Sequence, residues 1–254
     1  MAPTTLIIRT AGTNCDRELA HAFELAGAAT RTVHLNALIA QPALIAEADM
    51  IALPGGFSYG DDIAAGRIFA NRLRHRLLEP LRGAVERGVP IIGICNGFQV
   101  LVKLGLLPDA DGRQTATLAE NITGRFIDRW VRVEAPADTC CIWTRDLGSF
   151  ELPIAHGEGR FVTDSPETLQ RLCERGQIAL QYAPDDNPNG SVENIAGICD
   201  PTGLVLGLMP HPERYTHATH HPGWTRQGRE QLHQTAPGLQ LIRNAVTHAA
   251  QLVS

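Results

Sequence analysis

The chain has 254 residues, which allows one large domain or two small ones and a full hydrophobic core without stabilising disulfides. Hydrophobic residues make up 44% and charged residues 19%, a balance that excludes a disordered chain. The net charge of −5 and the lack of any basic run argue against a nucleic-acid partner. No stretch reaches the roughly 18 apolar residues of a membrane span and no export signal begins the chain, so we expect no membrane association and a cytoplasmic protein.

The first hundred residues alternate short apolar strands with helical stretches. Strands are predicted at 5–9, 30–35, 50–53 and 89–94, and helices at 17–26, around Leu73, Leu77, Leu81 and Val85, and at 98–104. This alternation predicts an α/β fold with a doubly wound, mostly parallel sheet and helices on both of its faces.

The second half is richer in predicted strands. They lie at 130–134, 140–143, 151–155, 178–182, 194–199 and 205–209, before a closing helix at 238–252. Because no low-complexity linker or internal repeat divides the chain, residues 1–254 are interpreted as a single domain that carries an antiparallel insertion.

Two residue types limit the cofactor chemistry. The six cysteines show no Cys-x-x-Cys spacing, so we expect reduced thiols and no metal site. Lys103 is the only lysine, and no Gly-Lys followed by Ser or Thr can be read, so this chain has no Walker loop for ATP.

Cys95 is the candidate nucleophile. It stands between Gly93 and Gly97 where a predicted buried strand meets a helix, the geometry of a nucleophile elbow. A thiol at a helix start faces free N–H groups that favour the thiolate. The alternative is a buried structural cysteine, and the flanking glycines favour the catalytic interpretation.

His211 and Glu213 are the candidate base and orienting carboxylate. They follow the predicted strand 205–209, and prolines on both sides of His211 predict an extended segment in which positions two apart face the same way. Cys95, His211 and Glu213 would then form a triad, whereas the alternative is an incidental His-Pro-Glu in a surface loop.

A glycine-rich turn at 54–60 follows a neighbouring strand and can meet the Cys95 turn at the same edge of the sheet. The backbone N–H groups of Gly56 and Asn96 are therefore the candidate oxyanion donors. An ordinary turn would explain the glycines equally well.

Residues 93–99, Gly-Ile-Cys-Asn-Gly-Phe-Gln, and His211-Pro212-Glu213 resemble the motifs of the class I glutamine amidotransferases. Segments 54–61, 155–159 and 187–191 are similar to one branch of that family. The resemblance implies a glutaminase in which Cys95 attacks glutamine and in which Gln99 and the Gly157 backbone contact it. It also implies no cofactor in this chain and a separate ATP- and magnesium-dependent synthase subunit that receives the ammonia.

Several points stay open at this stage. An accessory subunit and the stoichiometry of the complex are undetermined, and 121–130 departs from the compact form of the family. Within 216–235, His217, His220 and His221 could ligate a metal, although a polar loop or partner surface is the favoured interpretation. Two rival functions are a cysteine hydrolase or peptidase without a partner and a non-catalytic regulatory subunit.

Overall fold

The computed structural model describes residues 1–61, 64–226, 228 and 232–253. The strands of this part are β1 (Thr4–Arg9), β2 (Ala29–His34), β3 (Met50–Leu53), β4 (Ile91–Ile94), β5 (Ala116–Ala119), β6 (Ile127–Glu134), β7 (Ser149–His156), β8 (Arg160–Thr163), β9 (Ile178–Tyr182), β10 (Ile195–Cys199) and β11 (Val205–Leu208). The helices are α1 (Asp16–Leu25), α2 (Leu35–Ala40), α3 (Arg67–Glu86), α4 (Asn96–Leu104), α5 (Pro166–Glu174) and α6 (Pro237–Val253).

A central sheet organises the described residues, with the strand order β2-β1-β3-β4-β11-β10-β9-β6-β7. The strands from β2 to β11 in this order pair in parallel. Every residue of β3, β4 and β11 is buried, as expected for parallel strands that are covered on both faces. The predicted α/β fold with a mostly parallel sheet is confirmed.

The antiparallel strands extend this same sheet. The pairs β11–β10, β10–β9, β9–β6 and β6–β7 are all antiparallel. Four successive reversals return β7 to the direction of β4, so both strands end at the same edge of the sheet. A small second sheet contains β5 and β8 alone.

Helices bury their apolar faces against the sheet. In α3 the side chains of Leu73, Leu77, Leu81 and Val85 are buried, as their spacing of four predicts. In α4 every residue except Lys103 is buried. Because α4 starts directly after β4, its first turn lies at the carboxyl edge of the sheet, where ligand sites of such folds form.

One predicted strand is wrong, and several elements were not predicted. Residues 140–143 form turns instead of a strand. Their apolar side chains serve the core from irregular backbone, and the Trp143 indole N–H donates to the Leu204 carbonyl over 2.9 Å. Strands β5 and β8 and helices α2 and α5 were not predicted, and none of them is longer than nine residues. None of the helices in the described ranges has the length and apolar character needed to cross a membrane.

Candidate active site

Cys95 occupies the sharp turn between β4 and α4 with φ 51° and ψ −105°. This backbone conformation is sparsely populated by residues other than glycine and indicates a strained position. A Cβ on Gly97 would overlap the carbonyl oxygen of Leu53, and one on Gly93 would come within 2.6 Å of the Gly97 carbonyl oxygen. Close backbone packing therefore requires the glycines on either side of the thiol.

His211 and Glu213 meet in the loop after β11. The imidazole Nδ1 lies 2.7 Å from Glu213 Oε1, and both residues are buried. The expected extended segment is wrong, because Pro212–Arg214 forms a turn of 3-10 helix. That turn brings the carboxylate back to the ring, so the two side chains meet by a different backbone path than the sequence suggested.

The pKa of His211 is raised well above its ordinary value. Burial acts to lower it, but the Glu213 carboxylate and the neighbouring Cys15 and Cys95 thiols outweigh that effect. Within the described residues, no partner stands in full hydrogen-bonding geometry to the second ring nitrogen, Nε2. The surroundings of His211 therefore favour the protonated imidazole, and Nε2 is available for proton transfer.

Cys15 and Arg214 belong to this site, although the sequence did not indicate them. The Cys15 thiol is buried and accepts a hydrogen bond from Arg214 Nη2 over 3.2 Å. Ligand atoms of Cys15, His211 and Glu213 lie within 4.8 Å of one another, a grouping that could hold a metal, although the adjacent guanidinium disfavours a cation. Cys15 follows β1, and the rule that loops after parallel strands share one edge could have placed it here.

The candidate oxyanion donors flank the thiol. Gly56 has φ 136° and lines the same cavity as Cys95. Its N–H makes no backbone hydrogen bond within the described ranges, whereas the next N–H, of Phe57, donates to the Gly12 carbonyl. Asn96 is the first residue of α4, where N–H groups have no partner inside the helix.

The Asn96 side chain connects the two turns. Its Oδ1 accepts the Ser58 N–H at 3.3 Å, and its Nδ2 donates to Asp61 and to Gln99 Oε1. The Gln99 amide in turn donates to the Glu158 carbonyl over 2.6 Å. Gln99 lies in the cavity wall with both ends of its amide already bonded to protein.

The carboxyl end of β7 forms the opposite wall. The Ala155 carbonyl lies 3.7 Å from Cys95 Sγ, and Gly157 also lines the cavity. Asn121 supports this wall by donating from Nδ2 to the His156 carbonyl and from its backbone N–H to the Gly157 carbonyl. Burial, followed by the charge of His211, lowers the pKa of His156 to about 4, so this second imidazole stays neutral at pH 7.

These walls border a cavity of about 220 Å³ that Cys95 also lines. Phe57 and Phe126 line it and remain 47% and 53% exposed, with ring centroids 6.2 Å apart. The two rings therefore form an exposed apolar rim on this cavity.

The three histidines of the 216–235 segment do not converge on one point. His221 Nε2 lies 2.8 Å from Glu151 Oε2, and its ring packs against Trp130. His217 contacts Thr219 instead, with its ring centroid 6.2 Å from that of His220. Residues 227 and 229–231 of the predicted polar loop lie outside the described residues.

Comparison with known proteins assigns the chain to a family. The family model for CobB/CobQ-like glutamine amidotransferase domains matches residues 2–249. A relative from Dehalococcoides mccartyi, named phosphoribosylformylglycinamidine synthase subunit PurQ, is 44% identical, and the match covers 98% of both chains. A relative of the same name from Treponema denticola is 46% identical over 84% of this chain and 88% of its own.

Solved structures agree with these matches. A chain in the structure of PurLQS from Thermotoga maritima superimposes with a TM-score of 0.73 at 31% identity, covering 98% of this chain and 99% of that one. A glutamine amidotransferase from the same organism, 16% identical and matched over 99% of both chains, shares the fold with a TM-score of 0.54. The resemblance indicated by the motifs is confirmed, and the chain belongs to the CobB/CobQ-like glutamine amidotransferase family.

Proposed function

We propose that this chain is the glutaminase subunit of phosphoribosylformylglycinamidine synthase, acting as one catalytic domain in de novo purine biosynthesis. It hydrolyses glutamine to glutamate and ammonia. The observation that carries the proposal is the buried His211–Glu213 pair close to Cys95, since a Cβ on Gly55 would touch both His211 and Cys95. The chain is also 44% identical to a relative of that name over nearly its whole length.

In the first step the Cys95 thiolate attacks the side-chain amide carbon of glutamine. The raised pKa of His211 favours an imidazolium, which stabilises the thiolate beside it. The developing oxyanion is held by the N–H groups of Gly56 and Asn96. His211 then gives its proton to the leaving nitrogen, so that ammonia departs and a thioester to Cys95 remains.

In the second step His211, now neutral, takes a proton from water. The resulting hydroxide attacks the thioester, the C–S bond breaks, and glutamate leaves while the thiolate–imidazolium pair is restored. Glu213 fixes the ring through Nδ1 and leaves Nε2 to handle both proton transfers. Gln99 and the Gly157 backbone form the walls against which glutamine binds.

The ammonia is delivered to the large subunit of formylglycinamidine synthase, which binds ATP and magnesium. This chain needs no cofactor of its own. The exposed Phe57 and Phe126 at the cavity mouth support a partner that covers the opening, because ammonia released to water would be lost. A small accessory subunit in the same assembly is compatible with this arrangement.

The test assembles the chain with its synthase subunit and compares glutamine with ammonium as the nitrogen source. Cys95→Ala abolishes the glutamine-dependent synthesis and leaves the ammonium-dependent synthesis intact. Cys173→Ala, which removes an exposed thiol elsewhere, is the matched control and retains both activities.

Glutamine-dependent synthesis that survives Cys95→Ala would exclude this mechanism and favour a regulatory subunit. Glutamine hydrolysis by the chain, measured with and without the synthase, distinguishes the remaining rival. A peptidase or general cysteine hydrolase would not prefer glutamine and would gain nothing from the partner.

A further inference from the structure

A second cleft, lined by cations, lies beside the catalytic cavity. It measures about 420 Å³ and is lined by Ala64, Arg67, Asn71, Arg74, Lys103, Gln114 and Thr117. Among these described lining residues three are basic and none is acidic, in a chain whose net charge is −5. The proposed glutaminase mechanism does not use this cleft.

Two of the three cations of the cleft have no directly bonded acidic partner in the described part of the chain, although the Glu158 and Asp61 carboxylates act on Lys103 from a distance. Within the described residues, neither Arg67 nor Lys103 makes a hydrogen bond from its side chain or an ion pair. Arg74 is held in place by backbone oxygens, with Nη1 donating to Gly112 over 3.0 Å and Nη2 to Lys103 over 2.6 Å. The cleft therefore presents two unpaired cations and one fixed guanidinium.

Lys103 is half-buried near the end of α4. Burial lowers its pKa, the Glu158 carboxylate opposes that effect, and the Arg67 charge adds to it. Asp61 also faces the ammonium electrostatically, but Asp61 and Glu158 line the catalytic cavity instead of the cleft. A partly desolvated ammonium without an ion pair is costly unless an anion compensates it.

We propose that this cleft binds a phosphate monoester. A guanidinium fork and a nearby ammonium match the charge and geometry of a phosphate dianion, whereas a single carboxylate would leave one cation unpaired. The cleft has room for more than a phosphate group, and the amides of Asn71 and Gln114 and the Thr117 hydroxyl can bond the hydroxyl groups of an attached sugar.

The single lysine allows a direct test. Reductive methylation with ¹³C-formaldehyde labels only Lys103 and the N-terminal amine and preserves both charges. The Lys103 methyl resonance is then followed by NMR in titrations with inorganic phosphate, glucose 6-phosphate, glucose and sodium chloride, the salts being compared at equal ionic strength.

Phosphate and glucose 6-phosphate should shift the resonance saturably and raise the pKa of Lys103, while glucose and chloride should not. Arg67→Gln should weaken both phosphates at least tenfold. Arg76→Gln, an exposed arginine on the same helix that does not line the cleft, is the matched control and should leave both affinities unchanged.

A response that is linear in concentration and equal for chloride would overturn the proposal, as would unchanged affinity in Arg67→Gln. Sodium acetate is titrated at the same ionic strength, and saturation by acetate equal to that by phosphate would exclude phosphate as the preferred class of anion. Lys103→Met, examined by calorimetry with glucose 6-phosphate, gives a second measurement that does not depend on labelling, and retained binding there would contradict the site. None of these measurements uses glutaminase activity, so they stand apart from the test of the proposed function.

Discussion

The strained backbone at Cys95 leads to a quantitative prediction about stability. With φ 51° and ψ −105°, the residue lies where glycine is strongly preferred. A residue other than glycine in such a region costs about 1–3 kcal/mol. Cys95→Ala keeps the Cβ and therefore the strain, whereas Cys95→Gly releases it. Both variants lack the thiol, so their difference in unfolding free energy carries no contribution from sulfur chemistry.

A second position provides the control. Ala20 is half-buried in the middle of α1, where Ala20→Gly should lower the free energy of unfolding by about 1 kcal/mol. At position 95 the change from alanine to glycine brings the same loss of stability, but it also releases the backbone strain, which raises the unfolding free energy. Cys95→Gly should therefore be as stable as Cys95→Ala or up to about 2 kcal/mol more stable.

The assay is urea unfolding of the four proteins, monitored by circular dichroism and analysed at constant m. At each position we take the unfolding free energy of the glycine form minus that of the alanine form. This difference at position 95 should exceed the difference at position 20 by about 1–3 kcal/mol. If glycine destabilises position 95 by as much as it destabilises position 20, the turn is unstrained and the reasoning fails.

Three more substitutions test the residues around the catalytic thiol. In wild type the unfolding free energy should fall by about 3 kcal/mol as the pH drops from 6.5 to about 4, because the His156 ring stays neutral in the native state and takes up a proton in the unfolded state. His156→Gln should remove this fall in urea titrations, and a fall of the same size in the variant would contradict the assignment. Asn96→Ala should lower the unfolding free energy by about 2–3 kcal/mol, because the Ser58 N–H, Asp61 and Gln99 each lose a hydrogen bond. It should also reduce kcat for glutamine, and a kcat equal to that of the wild type would contradict this. Gly97→Ala should give little soluble protein because its Cβ overlaps the Leu53 carbonyl, and a yield of folded protein equal to wild type, measured by gel filtration, would show that the turn is looser than described.

Local sequence was enough to predict the nucleophile turn. The run of apolar residues in β4 buries the strand on both faces, and the glycines at 93 and 97 permit the sharp turn into α4. Each of these effects acts over a few residues, so the position of Cys95 at the strand end could be predicted without knowledge of the rest of the chain.

The second half of the chain was less predictable. The apolar residues at 140–143 look like a strand, but in the structure they form irregular backbone and a turn, and the N–H groups of Cys140 and Ile142 donate to the carbonyls of Gly176 and Gly203 in other loops. The sequence did predict that His211 and Glu213 would face one another. The backbone path was wrong, because Pro212 starts a 3-10 turn instead of extending the chain.

Tertiary structure alone decided which further side chains surround the catalytic residues. Cys15 and Arg214 are 199 positions apart, and they meet because the loops after β1 and β11 reach the same edge of the sheet. Gly157 follows β7, and it reaches the cavity because four antiparallel pairings give β7 the same direction as β4. The sequence by itself determined the turns and periodicities that arise from interactions between near neighbours. Strand order, which arises from the burial of distant apolar faces against one another, could be decided only by the folded chain.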